Sequence, residues 1–195
     1  MNEERVRAIA AESAALQRSF IEASAGLLCD VSQRLSDALH AGGKLLVCGN
    51  GGSAADAQHL AAELVGRYEH DRAGLAAIAL TTDPSVVTSV GNDFGFDDVF
   101  RRQVEALGRP GDVVLGISTS GNSRNVVAAL SYARDKGLYS VGLTGRGGGI
   151  MADVVDDLID VAGESTARIQ EVHGLVVHIL CEFVEQRLIQ PTEKT

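Results

Sequence analysis

Five short aliphatic runs, each bounded by Gly, Asp or Ser and separated by helix-length segments, constrain this chain more than any other feature. They are KLLVCG (44–49), LAAIAL (75–80), DVVLGIS (112–118), YSVGLTG (139–145) and VVDDLIDVA (154–162). Apolar runs of this length read as strands buried on both faces. Strands that alternate with helices imply right-handed β-α-β crossovers and a parallel sheet with helices on either side. The helix-like segments are SAADAQHLAAELVG (53–66), roughly 84–90, 97–107, 123–136 and 147–152, and a closing helix over about 166–188. The first forty residues lack proline and predict two amphipathic helices, about Glu3 to Ala25 and Leu27 to His40. Ala41, Gly42 and Gly43 then stop the second.

Composition narrows the class. There are 22 glycines against 3 prolines, which fits many tight strand-to-helix turns better than a disordered, proline-rich chain. Only 4% of residues are aromatic, so Ala, Val, Leu and Ile must build the core. The formal charge of -9 repels phosphodiester backbones and argues against nucleic-acid binding. It leaves open a phosphorylated metabolite, because local backbone amides bind phosphate against an unfavourable overall charge. Cys29, Cys48 and Cys181 are odd in number and widely spaced, with neither a disulfide framework nor a structural zinc pattern. The charged N-terminus has no apolar secretory core, and no stretch approaches a membrane span. The expectation is one domain over 1–195, cytoplasmic, with no membrane association.

In a parallel sheet of this kind, ligands bind beyond the carboxyl ends of the strands, which directs attention to three places. CGNGGSAAD (48–56) contains Gly49-x-Gly51-x-x-Ala54, a formal dinucleotide fingerprint. Its acidic ribose partner is missing about 20 residues on; Asp83 comes late, and there is no GxxxxGK[ST]. The turn either ends in a Ser53 helix cap or brings the amides around Asn50, Gly51 and Gly52 close to a polar ligand. ISTSGNS (117–123) places Ser118, Thr119 and Ser120 after a buried strand, Gly121 at a sharp turn, and Ser123 near a helix start. Hydroxyls and helix-N-terminal amides make a charge-neutral cradle for a phosphomonoester. His59 and Glu63 lie four apart on one helix face, where such a pair binds a divalent metal, places a base beside a substrate, or is merely solvated. VGND (90–93) offers Asn92 and Asp93 from an expected loop. RIQEVHGLVVHIL (168–180) puts Gln170, His173 and His178 on the last helix. Gln170 and His178 are separated by about 12 Å of rise, marginal for two ligands of one ion.

These motifs, in this order and over nearly the whole chain, resemble the phosphoheptose (sedoheptulose 7-phosphate) isomerases of the sugar-isomerase (SIS) family. The resemblance rests on CGNGGSAADAQHLAAELVGRY, SVGNDFGFDDVF, GDVVLGISTSGNSRNVV, LTGRGGG and RIQEVHGLVVHIL. It implies a three-layer α/β/α sandwich around a five-stranded parallel sheet, flavodoxin-like, with N-terminal helices. Residues 1–41 would form a helical extension that packs an oligomer. It further implies a homotetramer with shared active sites and one zinc per subunit. Substrate would meet Asn50, Gly51, Gly52, Glu63, Asn92, Asp93, Ser118, Thr119, Ser120, Ser123 and Gln170. His59, Glu63, Gln170 and His178 match the family's metal ligands, and Glu63 and His178 its acid-base pair. Ala167 stands where some relatives carry an acid, so a role for that acid does not carry over. The implied reaction converts D-sedoheptulose 7-phosphate to D-glycero-D-manno-heptose 7-phosphate through an enediol, the first step toward nucleotide-activated heptose and a lipopolysaccharide precursor. The alternatives are a non-catalytic SIS scaffold that binds the replication initiator protein, and an isomerase of hexulose or arabinose phosphates. Glu63 together with His178 and Gln170 favours the enzyme, since a scaffold needs no acid-base set.

Overall fold

The computed structural model describes residues 2–189. Of the expected domain span 1–195, residue 1 and residues 190–195 lie outside the described residues. Strands β1 (Leu45–Gly49), β2 (Ala77–Ala79), β3 (Val113–Ser118), β4 (Tyr139–Gly145) and β5 (Asp157–Val161) form one all-parallel sheet, in the order β2-β1-β3-β4-β5. Each strand falls within the aliphatic run that predicts it. Helices α1 (Glu3–His40), α2 (Gly52–Val65), α3 (Pro84–Asp93), α4 (Arg101–Leu107), α5 (Arg124–Asp135) and α6 (Thr166–Ile189) complete the layers. No helix among the described residues is long and apolar enough to cross a membrane.

The strand pleat sorts the core into two halves. Leu45, Val47, Leu115, Ile117, Val141, Leu143, Ile159 and Val161 pack under α1, α2 and α6. Leu46, Cys48 and Val114 pack on the other side, under α4 and α5, with Val87 and Val90 of α3 half-buried beside them. Successive side chains of a strand point to opposite faces, so an uninterrupted apolar run is what a doubly covered sheet requires. Each such Leu, Ile or Val contributes about 1.5–3 kcal/mol by leaving water. On β3, Gly116 faces α5, and a Cβ there would come within 2.6 Å of both Leu130 Cδ1 and Val126 Cγ1. The helix therefore sits directly on the strand backbone.

Two expected elements differ. The two N-terminal helices are one continuous helix of 38 residues, running straight through Gly26. An interior glycine costs only about 1 kcal/mol, and the flanking Phe20, Leu28, Val31, Leu35 and Leu39 are all buried, against α6 and its neighbours. The N-terminal part of α1, by contrast, is largely exposed, with Val6 and Ile9 on its surface. The segment expected as a helix over 147–152 is a 3-10 turn, Gly149–Asp153. Gly147, Gly148 and Gly149 all have positive φ (82°, 84° and 53°), which an α-helix does not accommodate.

From β1 the chain crosses to β2 on one side, while β3, β4 and β5 extend the sheet on the other. The loops after β1 and β3 consequently flank the crevice where strand order reverses, the usual ligand position in open α/β sheets.

Candidate active site

The loop after β3 is built inward. Ser118 and Ser123 share a hydroxyl hydrogen bond of 2.9 Å, and Ser118 and Ser120 one of 3.4 Å. Ser123 occupies the N-cap of α5 with extended backbone, yet its side chain makes no capping bond. Its hydroxyl is turned toward Ser118, so it caps none of the leading amides of α5; Val126 N donates to Asn125 Oδ1 at 3.0 Å, and those of Arg124 and Asn125 have no side-chain acceptor among the described residues. Such amides, aligned with the positive end of the helix dipole, receive anions. Gly121 (φ 64°) makes the turn possible: a Cβ there would lie 1.8 Å from the Gly148 carbonyl oxygen. Asn122 Oδ1 accepts from Ile150 N at 3.0 Å, and Gly121 O accepts from Met151 N at 3.0 Å, so the loop after β4 braces the one after β3.

Across the crevice, Asn50 follows β1, and its side-chain amide makes two reciprocal hydrogen bonds of 2.9 Å with that of Asn125 in the first turn of α5. Asn125 is 3% exposed and was not singled out from sequence. Its position two residues after Ser123 is the only signal that would have found it. Gly51 (φ 56°) is the N-cap of α2 with no side-chain cap. Ser53, a possible cap from sequence, is buried inside the first turn instead. Gln170 stands over Gly52, where a Cβ would approach its Nε2 to 2.5 Å. Asn50, Gly51, Gly52, Ser118, Thr119, Ser120, Ser123 and Gln170 thus gather around the crevice end of the sheet.

A second patch forms further along α2 and α6. His59 Nε2 lies 3.3 Å from Glu63 Oε1. The His178 ring stands edge-on to the His59 ring, with centroids 5.0 Å apart, and the Tyr68 ring is 6.0 Å from His178. Burial raises the Tyr68 phenol above its usual value, and nearby carboxylates, Glu182 first and Glu63 among them, add to this. Asp56, one turn before His59, is also pushed up by burial, partly offset by His59, and its Oδ2 has no partner. His178 is exposed. The buried, hydrogen-bonded histidine of α6 is His173, whose Nε2 lies 3.0 Å from the Thr144 carbonyl oxygen.

The two patches do not meet within one chain. Glu63 is eleven residues beyond Gly52 on α2, about 16 Å of helix rise, and His178 is about 12 Å beyond Gln170 on α6. Asn92 and Asp93 join neither patch. They form the last turn of α3 rather than a loop, with Asn92 Nδ2 donating to Asp93 Oδ1 at 2.8 Å, and both are exposed. Asp83, too late for a ribose partner, is the N-cap of α3 and accepts from the amides of Ser85 and Val86. Two imidazoles and a carboxylate are donors that zinc accepts. Among the described residues, no group of three or more His, Cys, Asp or Glu is arranged to hold a metal ion within one chain.

Comparison with known proteins is consistent across sequence and structure. The SIS domain profile matches residues 10–145. A phosphoheptose isomerase from Roseiflexus sp. is 54% identical over 175 residues, covering 90% of this chain and 89% of that protein. The solved phosphoheptose isomerase of Neisseria gonorrhoeae superposes with a TM-score of 0.89 at 46% identity, covering 94% of this chain and 98% of that one. That of Francisella tularensis gives 0.91 at 36% identity, covering 95% and 100%. The crevice, the hydroxyl loop and this similarity over almost the full length agree, and the chain belongs to the SIS domain family, within its phosphoheptose isomerases.

Proposed function

We propose that the protein isomerises D-sedoheptulose 7-phosphate to D-glycero-D-manno-heptose 7-phosphate through an enediol. The observation that carries this is the inward-turned hydroxyl loop at the head of α5, with Ser118 and Ser123 2.9 Å apart and the Arg124 and Asn125 amides left without a cap from Ser123. A neutral cradle of this kind suits a terminal phosphomonoester. The similarity to phosphoheptose isomerases at 54% identity narrows the sugar to a seven-carbon ketose phosphate.

The active site is completed between chains. The cradle of one chain, with Asn50, Gly51, Gly52, Thr119 and Ser120, holds the phosphate and sugar hydroxyls. Glu63 and His178 come from a neighbouring chain, because the 16 Å of helix rise separates them from their own cradle. Asn92 and Asp93, exposed at the end of α3, reach substrate in the same assembly. The exposed N-terminal part of α1, within the 1–41 extension, supplies packing surface for a homotetramer, the smallest closed arrangement that pairs faces in two directions.

In this site Glu63 removes the proton from C1 and returns it to C2, while His178 moves protons to and from the two oxygens and assists ring opening. The cradle fixes C1 and C2 relative to both groups. His59, Glu63 and His178, which form no metal-holding group within one chain, would be joined by Gln170 of a neighbouring chain to hold one zinc per subunit. A zinc ion held by these residues would supply Lewis-acid stabilisation of negative charge on the substrate oxygens. The phosphorylated substrate keeps the reaction in the cytoplasm, and the product serves nucleotide-activated heptose synthesis as a lipopolysaccharide precursor. Assay of the purified protein with sedoheptulose, fructose and ribulose phosphates tests the substrate. Solvent deuterium should enter C1 of sedoheptulose 7-phosphate with the parent and not with Glu63→Gln, which should still bind inorganic phosphate. Full turnover by Glu63→Gln would remove that carboxylate from the reaction.

A further inference from the structure

We propose that Arg72 and Glu185 are positioning residues that set Glu63 and His178 at working distance, an inference that rests on the acid-base roles just given. Neither residue belongs to the two patches, and both are nearly sealed from water, at 8% and 2% exposure. Arg72 Nε donates to Glu185 Oε1 at 2.9 Å. The rest of its guanidinium faces the end of α2: Nη2 donates to the Glu63 carbonyl at 2.9 Å, and Nη1 to those of Leu64 at 2.9 Å and Ala73 at 3.0 Å. The last carbonyls of a helix have no partner within it, so Arg72 caps the very turn that carries the Glu63 side chain. Its charge also lies at the helix end where a cation is favourable.

Glu185 closes the arrangement from α6. Its carboxylate accepts from the backbone amides of Tyr68 at 3.1 Å, Glu69 at 2.8 Å and His70 at 2.9 Å. The His70 Nδ1 stands 3.2 Å from Oε2. Glu185 lies seven residues after His178, about 10 Å along the same helix. One carboxylate therefore ties the end of α2, the turn that presents the Tyr68 ring to His178, and α6 into a single unit.

Stability alone does not explain the pair. A buried ion pair is commonly replaced by apolar side chains at little cost, and sometimes with a gain. What apolar side chains do not provide is a fork that fixes three carbonyls and a carboxylate at once. The separation of Glu63 from His178 is the quantity such a fork controls. Misplacing reacting groups by about 1 Å costs on the order of a hundredfold in rate.

Arg72→Lys tests this, because lysine keeps the charge beside Glu185 but replaces the fork with a single ammonium. Expected are a kcat reduced about tenfold or more, a KM for sedoheptulose 7-phosphate within about twofold of the parent, and an unchanged calorimetric Kd for inorganic phosphate. A folded variant with kcat within twofold of the parent overturns the proposal, as does a raised KM with unchanged kcat. Should Arg72→Lys fail to fold, Glu185→Gln is read in the same way, since its amide oxygen still accepts from the backbone. If neither folds, the pair is a requirement of folding and not of alignment, and the proposal fails. Glu63→Gln, run in parallel, separates the two levels. Full activity in that variant sinks the role of Glu63, whereas an inactive Glu63→Gln beside a fully active Arg72→Lys sinks only the positioning pair.

Discussion

Asn50 and Asn125 exchange two side-chain amide hydrogen bonds, each 2.9 Å, across the crevice where the strand order of the sheet reverses. One belongs to the turn that opens α2, the other to the first turn of α5. The pair holds two loops from distant parts of the sequence at one separation.

Asn125→Ala removes both bonds and strands the Asn50 amide without its partner. An unmet buried polar group costs about 1–3 kcal/mol. The expected result is a KM for the sugar phosphate raised about tenfold, with a smaller change in kcat. Steady-state kinetics check it, and an unchanged KM would show that the loops hold their spacing without the pair.

The proposed division of the site between chains predicts complementation. Glu63→Gln lacks the proposed acid-base carboxylate, and a Ser118→Ala/Ser123→Ala double variant lacks the cradle hydroxyls. Each is expected to be inactive alone. Exchange of subunits in an equal mixture should restore about a quarter of parent activity, because random pairing across a two-fold interface makes about one site in four intact. A mixture that stays inactive after demonstrated exchange would mean that each site is built from one chain.

Gly121→Ala places a methyl group 1.8 Å from the Gly148 carbonyl oxygen, in a backbone conformation of φ 64°. The loop after β3 must then move away from the one after β4. Loss of measurable inorganic phosphate binding is expected, together with about 1–3 kcal/mol of stability from strain, read by calorimetry and denaturant unfolding.

Acid sensitivity should come from two groups on α6. Burial raises the Glu185 carboxyl, but hydrogen bonds from the amides of Glu69, His70 and Tyr68 outweigh it and hold the group at about 2, against an ordinary 4.5. A depressed carboxyl stabilises the fold above its unfolded value and loses that contribution as pH falls from about 4.5 toward 2, amounting to about 3 kcal/mol. His173 is shifted down from 6.5 by burial, partly offset by the Thr144 carbonyl, and its Nδ1 has no partner. The folded state resists its protonation, so stability declines as pH drops below 6.5. In urea titrations from pH 8 to pH 2, His173→Phe should flatten the upper part of that decline. Glu185→Gln should lose its deficit relative to the parent only at the acid end.

Much of the architecture was legible because it rests on local patterns. Val113 to Ser118 and Tyr139 to Gly145 are unbroken apolar or small runs, and only a doubly covered strand buries both of their faces. Gly26 misled, since its penalty is local while the burial of Phe20 and Leu28 that overrides it is tertiary. Asn92 and Asp93 read as a loop because their own propensities favour turns, yet the Asp83 cap starts a helix that runs through them. Asn50, Gly51, Gly52 and the serines of the β3 loop stand out in sequence as small and polar residues after buried strands, whereas Asn125 and Tyr68 do not. The rise of about 16 Å between Gly52 and Glu63 follows from the spacing of those two residues on α2, as the rise of about 12 Å between Gln170 and His178 does on α6. Arg72 with Glu185 was invisible for a different reason: partners 113 positions apart leave no trace in spacing.

The seating of α5 on Gly116 has a consequence for how such a pocket can change over evolutionary time. The floor beneath the helix, not the residues that greet the sugar, sets the height of the hydroxyl turn above the sheet. Exchange of Gly116 for alanine would lift the helix like a shim under a lid and widen the mouth, with every polar group in it still present. Preference for longer or shorter sugars is thus open to tuning from the hydrophobic interior.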